Sequence, residues 1–210
     1  MRKLLVATRR KGKFEEIQEL LGNLPIKLLT LDEVRKIPPD FDVKETGKTL
    51  KENAILKAKT FGKMAGLLTL ADDSGLFVEA LPGKLGVKSK RYKKGTDKDR
   101  HRELLKELKG LSLMDRKAKF VCTVALYSPE NDKLITRYGE CKGYIAQKPK
   151  GKHGFGYDPV FVVDSLGKHF AELTRGEKNE VSHRAVAVRK IKKLVARNLK
   201  TQNSNVKTTT

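Results

Sequence analysis

RKLLVATRRKGKFEEIQELLG, Arg2 to Gly22, changes period partway along its length. Arg2 to Thr8 reads as a buried strand. From Lys13 to Gly22 the apolar residues Phe14, Ile17, Leu20 and Leu21 recur at helical spacing, and a glycine stop follows. The chain therefore opens as strand, basic turn, helix, the elementary unit of an α/β protein.

The same alternation continues outward. Ile26 to Leu31 reads as a second strand, Pro38-Pro39 opens an acid-rich loop, and Thr49 to Ala65 carries a stripe of Leu50, Ala54, Ala58 and Phe61. Leu67 to Leu70 and Leu76 to Leu81 read as two strand pieces around a turn, Ala71-Asp72-Asp73-Ser74-Gly75. Asp97 to Lys109 is an amphipathic helix. Ala118 to Ser128 and Lys133 to Ile145 form long strands joined by Pro129 to Asp132. A Gly- and Pro-rich loop, Lys148 to Pro159, precedes short strands at Val160 to Asp164 and Phe170 to Leu173. Ser182 to Asn198 is the last helix. Residues 1–198 are expected to form one domain, and 199–210, without apolar periodicity, a disordered tail. The sum is a mixed α/β architecture.

Composition narrows the class. The 210 residues suffice for a real core, and no apolar run reaches the length of a membrane span. Cys122 and Cys141 lack CxxC spacing and read as buried free thiols, which fits a reducing cytoplasm. The net charge of +21 favours a polyanionic partner. Lys84 to Lys119 holds fourteen Lys and Arg against five Asp and Glu. Tyr92 is its only aromatic residue, which is poor for stacking on single strands. A solvated basic face is the simpler reading of that segment.

Five pieces carry chemistry. Thr8-Arg9-Arg10-Lys11-Gly12-Lys13 sits between strand and helix, where backbone N–H groups and cations attract anions; an exposed basic turn reads equally well, and the Walker A spacing is missing. Thr49 and Glu52 make a capping box, which leaves Glu45 and Lys57 unexplained. Asp72 and Asp73 lie between apolar runs, where a carboxylate needs a cation; Mg²⁺, which takes one or two carboxylates plus phosphates, suits them, as does a polar turn. Gly154 to Pro159 could present Phe155 to a base and Asp158 to its edge, or be a structural loop plugged by its aromatics. Ser182 is a sensible N-cap, but His183-Arg184 at a helix N-terminus is unfavourable unless an anion or acceptor is bound there.

In order and spacing, ETGxTxxENAxLKA (Glu45 to Ala58), ADDSGL (Ala71 to Leu76), GFGYDP (Gly154 to Pro159) and EKNxxSHR (Glu177 to Arg184) resemble the inosine triphosphate pyrophosphatase family, also called Ham1-like. The resemblance spans Met1 to Leu194. It implies an elongated mixed β-sheet with flanking helices and two lobes around a central nucleotide-binding groove, usually as a homodimer. It implies Mg²⁺-dependent hydrolysis of ITP, dITP and XTP to the monophosphate and pyrophosphate. By this resemblance Asp73 is the general base and a metal acid, Glu45 the second metal acid, and Glu52 and Asp72 supporting candidates. Thr8 to Lys13 and Lys57 would contact phosphates, with Ser74 beside the substrate. Phe155, Gly156, Tyr157 and Asp158 would hold the base, and Lys178, His183 and Arg184 would read its 6-oxo edge.

Three positions depart from the family pattern. Arg10 stands where Asn is usual, so a donor replaces a group that also accepts. Lys88 and Lys90 occupy positions of a GVxSARY-like segment where small or aromatic residues are common, and His153 precedes GFGYDP. These changes admit a second reading: a weakened or deliberately supercharged family scaffold that mainly binds polyanions such as nucleic acid.

Overall fold

A computed structural model describes the backbone of residues 2–206 and the side chains of residues 2–196. Seven strands form one sheet in the order β2-β1-β3-β4-β5-β6-β7. They are β1 (Arg2–Val6), β2 (Ile26–Leu29), β3 (Thr69–Val78), β4 (Lys117–Ser128), β5 (Lys133–Ile145), β6 (Phe161–Val163) and β7 (Lys168–His169). β1 pairs in parallel with β2 and β3, and the remaining pairings are antiparallel. Five helices flank the sheet: α1 (Lys11–Leu21), α2 (Leu50–Ala65), α3 (Asp97–Glu107), α4 (Arg175–Val181) and α5 (His183–Val206). The α/β expectation holds. Where a disordered tail is expected, over residues 199–210, the backbone of 199–206 instead continues α5, and residues 207–210 lie outside the described residues.

Each helix lies where its apolar stripe meets a sheet face. Ile17, Leu20 and Leu21 of α1 and Ala187, Val188 and Ile191 of α5 pack with Leu70, Cys122 and Val124 on one face. Ala54, Ala58 and Phe61 of α2 pack with Ala71, Ala125 and Tyr127 on the other. A third cluster, with Leu76, Leu104, Phe120, Phe161 and Phe170, fills the far end of the long strands. Both cysteines are free and buried. Among the described residues no helix is long and apolar enough to cross a membrane.

Three expectations fail for physical reasons. The two strand pieces around an acidic turn are one ten-residue strand, β3, with Asp72 and Asp73 inside it. Gly75 there makes no turn; a Cβ on it would lie 2.2 Å from the Gly86 carbonyl oxygen, so it permits close backbone approach. Phe170 to Leu173, expected as a strand, contains a 3-10 turn over Phe170–Glu172. Residues 175–181, left without an element, form α4, closed by a Thr174–Glu177 capping box.

Candidate active site

The cleft follows from the topology. β1 lies between β2 and β3, and the chain leaves its C-terminal end into α1, so the crevice opens where strand order switches, a favoured ligand position in such sheets. The last pairing of β1 with β3 is Val6 with Leu70. Past it β3 has a free edge, covered by the 3-10 turn Gly86–Arg91, where the Leu76 N–H donates to Ser89 Oγ at 3.0 Å. Asp72 and Asp73 sit on this segment. Strand alternation sends them to opposite faces, so each acid meets a different set of cations.

Asp72 faces α1 and α5. Lys13 Nζ stands 2.9 Å from its Oδ2, and Arg184 Nε and Ser74 Oγ donate to the same oxygen at 3.1 and 2.9 Å. Burial alone would raise this carboxyl; Lys13, Arg184 and Lys57 outweigh it and hold Asp72 well below the usual carboxylate range. Its Oδ1 is buried without a partner among the described residues. Asp72 thus organises the cations around it. The network continues through Glu16, which pairs with Lys178 at 2.8 Å and with Arg184. Sequence reasoning missed Glu16, although a charge at i+3 from Lys13 and one residue before Ile17 falls on the buried stripe of α1.

Asp73 faces α2. Asn53 Nδ2 donates to its Oδ2 at 3.1 Å, and Lys57 Nζ lies 3.6 Å from its Oδ1. The same ammonium donates to Glu45 Oε1 at 2.7 Å, so both expected metal acids converge on one centre of positive charge. Burial raises the Asp73 carboxyl, and the neighbouring Glu45 adds to the rise, against the opposing pull of Lys57, Lys13 and Asn53. Burial would lower Lys57, but Asp73, Asp72 and Glu45 outweigh it, and the group is raised. Glu52 is outward, its carboxylate accepting from the Lys48 N–H at 2.7 Å. Among the described residues no three His, Cys, Asp or Glu side chains gather into a metal cage. Glu45 and Asp73, both reaching Lys57 Nζ at the cleft, are the two carboxylates that could hold a divalent cation there.

The basic turn divides. Thr8, Arg9, Arg10 and Lys13 line the cleft. Thr8 Oγ1 accepts from the Arg10 N–H, and no side chain caps the N-terminus of α1 among the described residues. Arg9 is bound elsewhere, to Asp32 Oδ1 at 2.8 Å and to the carbonyls of Pro38 and Phe41, and so latches the loop before α2. Lys11 is exposed and lines a side opening with Gly12. A Cβ on Gly12 would lie 2.8 Å from the Phe155 ring, so this glycine admits Phe155.

At the other end of the cleft, Lys178 Nζ lies 4.8 Å from the Phe155 ring centre and Arg184 lies 5.7 Å from it. Asp158 Oδ2 accepts from the Phe155 N–H and from Lys178 Nζ, which fixes the loop. Tyr157 is buried, its hydroxyl donating to the Ser89 carbonyl, and Gly156 N–H donates to Asp97 Oδ2 at 2.9 Å. Asp97 and His101 of α3 therefore hold this loop, a role the sequence did not reveal. His183 stacks on Phe120, with ring centres 4.7 Å apart, and its Nδ1 is buried without a partner. Burial, then Arg184 and Lys178, hold it neutral, well below the usual imidazole value. Ser182 caps α5, accepting from the Ala185 N–H at 3.2 Å.

Fold and cleft together define an α/β protein with a groove beside the end of β1 in which acids and lysines interleave. The chain belongs to the Ham1 family, whose model matches residues 4–194. It is 47% identical to a dITP/XTP pyrophosphatase of Geobacter sulfurreducens, covering 91% of this chain and 96% of that one. It is 40% identical to a dITP/XTP pyrophosphatase of a Thermoanaerobacter species, over 94% and 98% of the two chains. A Ham1 protein from Coxiella burnetii superposes with a TM-score of 0.83 at 42% identity, covering 94% of this chain and all of that one.

Proposed function

We propose that this protein hydrolyses the non-standard purine nucleoside triphosphates ITP, dITP and XTP to the monophosphate and pyrophosphate. The observation that carries this is that two lysines (Lys13, Lys57), two acids (Asp73, Glu45) and the side chains of Lys178, His183 and Arg184 line one cleft. The relatives' activity, cleavage of dITP and XTP, supports it.

Asp73 accepts the proton of the attacking water; a carboxyl raised by burial suits a general base near neutral pH. Lys13 and Lys57 offset charge on the phosphates, and catalysis is mainly positioning and electrostatics. Glu45 and Asp73 would hold Mg²⁺, which would supply further charge neutralisation on the triphosphate. At the base end, Lys178 commits two of its three N–H groups to Glu16 and Asp158, which leaves one for substrate. A 6-oxo group accepts from such donors, whereas the 6-amino group of adenine opposes them and leaves buried donors unpaired. A cytoplasmic homodimer is the matching assembly; sedimentation at micromolar concentration tests it.

The test is pyrophosphate release from dITP with Mg²⁺ by the parent and by Asp73→Asn. Release by the parent and a drop of about two to four orders of magnitude in the variant are expected. No release by the parent, with steep salt-dependent RNA binding instead, would favour the polyanion-binding scaffold.

A further inference from the structure

The place of the Phe155 ring in the cleft is not set by its own loop. Gly154 and Gly156 flank it with φ of 77° and 62°, a conformation that glycine adopts freely and that stiffens nothing by itself. The ring packs closely on α1, since a Cβ on Gly12 would lie 2.8 Å from it, and Lys178 and Arg184 lie over it. The backbone that carries it is gripped from α3.

α3 presents Asp97 and His101, four residues apart and so on one helix face, to the two polar groups of Gly156. Asp97 Oδ2 accepts from the Gly156 N–H at 2.9 Å, and His101 Nε2 bonds the Gly156 carbonyl. A carbonyl only accepts, so Nε2 is the nitrogen that carries the hydrogen. The grip is itself braced. Arg100 pairs with Asp97 and donates to the Gly95 carbonyl at 2.9 Å, and a Thr96–Asp99 capping box closes the start of the helix. Burial would raise Asp97, but Arg100 and the Gly156 N–H outweigh it, and the carboxyl is lowered. His101 is buried with its ring tilted on Tyr157, centres 5.9 Å apart, and Leu104 and Leu108 seat α3 in the core at the far end of the long strands. α1 and α2, which carry Lys13 and Lys57, are seated in the other two clusters. The two lysines and the Phe155 loop are therefore held by different parts of the core.

We propose that Asp97 and His101 are positioning residues: by gripping both polar groups of Gly156 they fix the Phe155 ring as a platform for the base of a nucleotide, independently of its phosphates. The inference rests on the nucleotide reading above, in which Phe155 meets the base. A ring face stacks on any purine, so the grip sets affinity for the nucleoside half and leaves the choice among purines to Lys178, His183 and Arg184.

The experiment uses the full chain and the variants Asp97→Ala, His101→Phe, the double variant, and the conservative Asp97→Asn and His101→Gln. Calorimetry reads binding of deoxyinosine monophosphate, which has a base, and of inorganic tripolyphosphate, which has none. Steady-state kinetics reads KM and kcat for dITP and ATP. Asp97→Ala and His101→Phe are each expected to weaken monophosphate binding and raise KM for dITP by about tenfold, the scale of one lost charge-assisted or buried hydrogen bond, while kcat changes far less. Tripolyphosphate affinity and the ratio of kcat/KM for dITP over ATP should stay at the parent values. Asp97→Asn keeps an acceptor and His101→Gln a donor, and each should restore most of the affinity. Should the double variant not fold, His101→Phe alone, which keeps a ring against Tyr157 and loses only the donor, gives the same reading. Unchanged monophosphate affinity and KM overturn the inference. Equal losses for monophosphate and tripolyphosphate overturn it too, because they mean that α3 only supports the fold, as does failure of the conservative variants to restore binding. If the parent binds the monophosphate through this grip yet releases no pyrophosphate from dITP, the proposed function fails while the positioning role stands.

Discussion

At the residue scale, two adjacent acids of β3 have opposite environments. Asp72 is held ionised by three cations, whereas Asp73 is raised by burial and remains open to the cleft. Asp73→Asn should therefore cut turnover by about two to four orders of magnitude without loss of stability, because it removes a carboxylate whose charge is costly to bury; urea denaturation of the variant checks this. For His183 the folded-state value is depressed below 6.5, so the unfolded chain takes up a proton that the native chain refuses. Unfolding free energy from this group should rise with pH through the region just below 6.5 and be lost as pH falls through it. A His183→Gln variant should flatten that limb in a pH series of urea melts. Asp72 and Glu16 are likewise lowered, in their case because nearby cations favour the charged form, so their contribution is present above the ordinary carboxylate range and is lost at more acidic pH. Asp72, Asp73, His183 and Arg184 stood out in the sequence because charged residues in apolar runs and at a helix start demand partners, whereas Lys13 and Lys57 stood out through the family motifs. Glu16, Asn53 and Asp97 did not, because each lies on a helix whose local pattern is complete without it.

At the scale of elements, the strand–turn–helix opening, α2, and the β4–β5 hairpin could be read directly from period and turn residues. β3 could not. Asp-Asp-Ser-Gly is turn chemistry by local preference, and only the cations of α1, α2 and α5 make it tolerable in a strand. The close contact of Gly75 with Gly86 gives a sharp expectation: Gly75→Ala forces β3 and the 3-10 turn apart and costs about 3 kcal/mol, seen as a lower urea midpoint. The ion network joining α1, α4, α5 and β3 gives another. Glu16→Ala leaves Lys178 and Arg184 buried with one partner fewer each and should destabilise by about 3–5 kcal/mol in the same measurement.

At the scale of the whole molecule, a net charge of +21 surrounds a cleft whose acids are largely paired. Such a field attracts a triphosphate, and screening weakens it. For dITP, kcat/KM should fall several-fold between about 50 and 500 mM salt while kcat changes less, by initial rates. Mg²⁺ removal by EDTA should stop turnover, and restoring excess Mg²⁺ should recover it. The decisive assay compares dITP, XTP, ATP and GTP at equal concentration with Mg²⁺, detecting pyrophosphate and orthophosphate separately. Pyrophosphate and monophosphate in equal amounts are expected, with kcat/KM for dITP and XTP at least about a hundredfold above that for ATP, as mismatched buried donors require. Orthophosphate as the product, or equal rates on ATP and dITP, would contradict the assignment of this cleft.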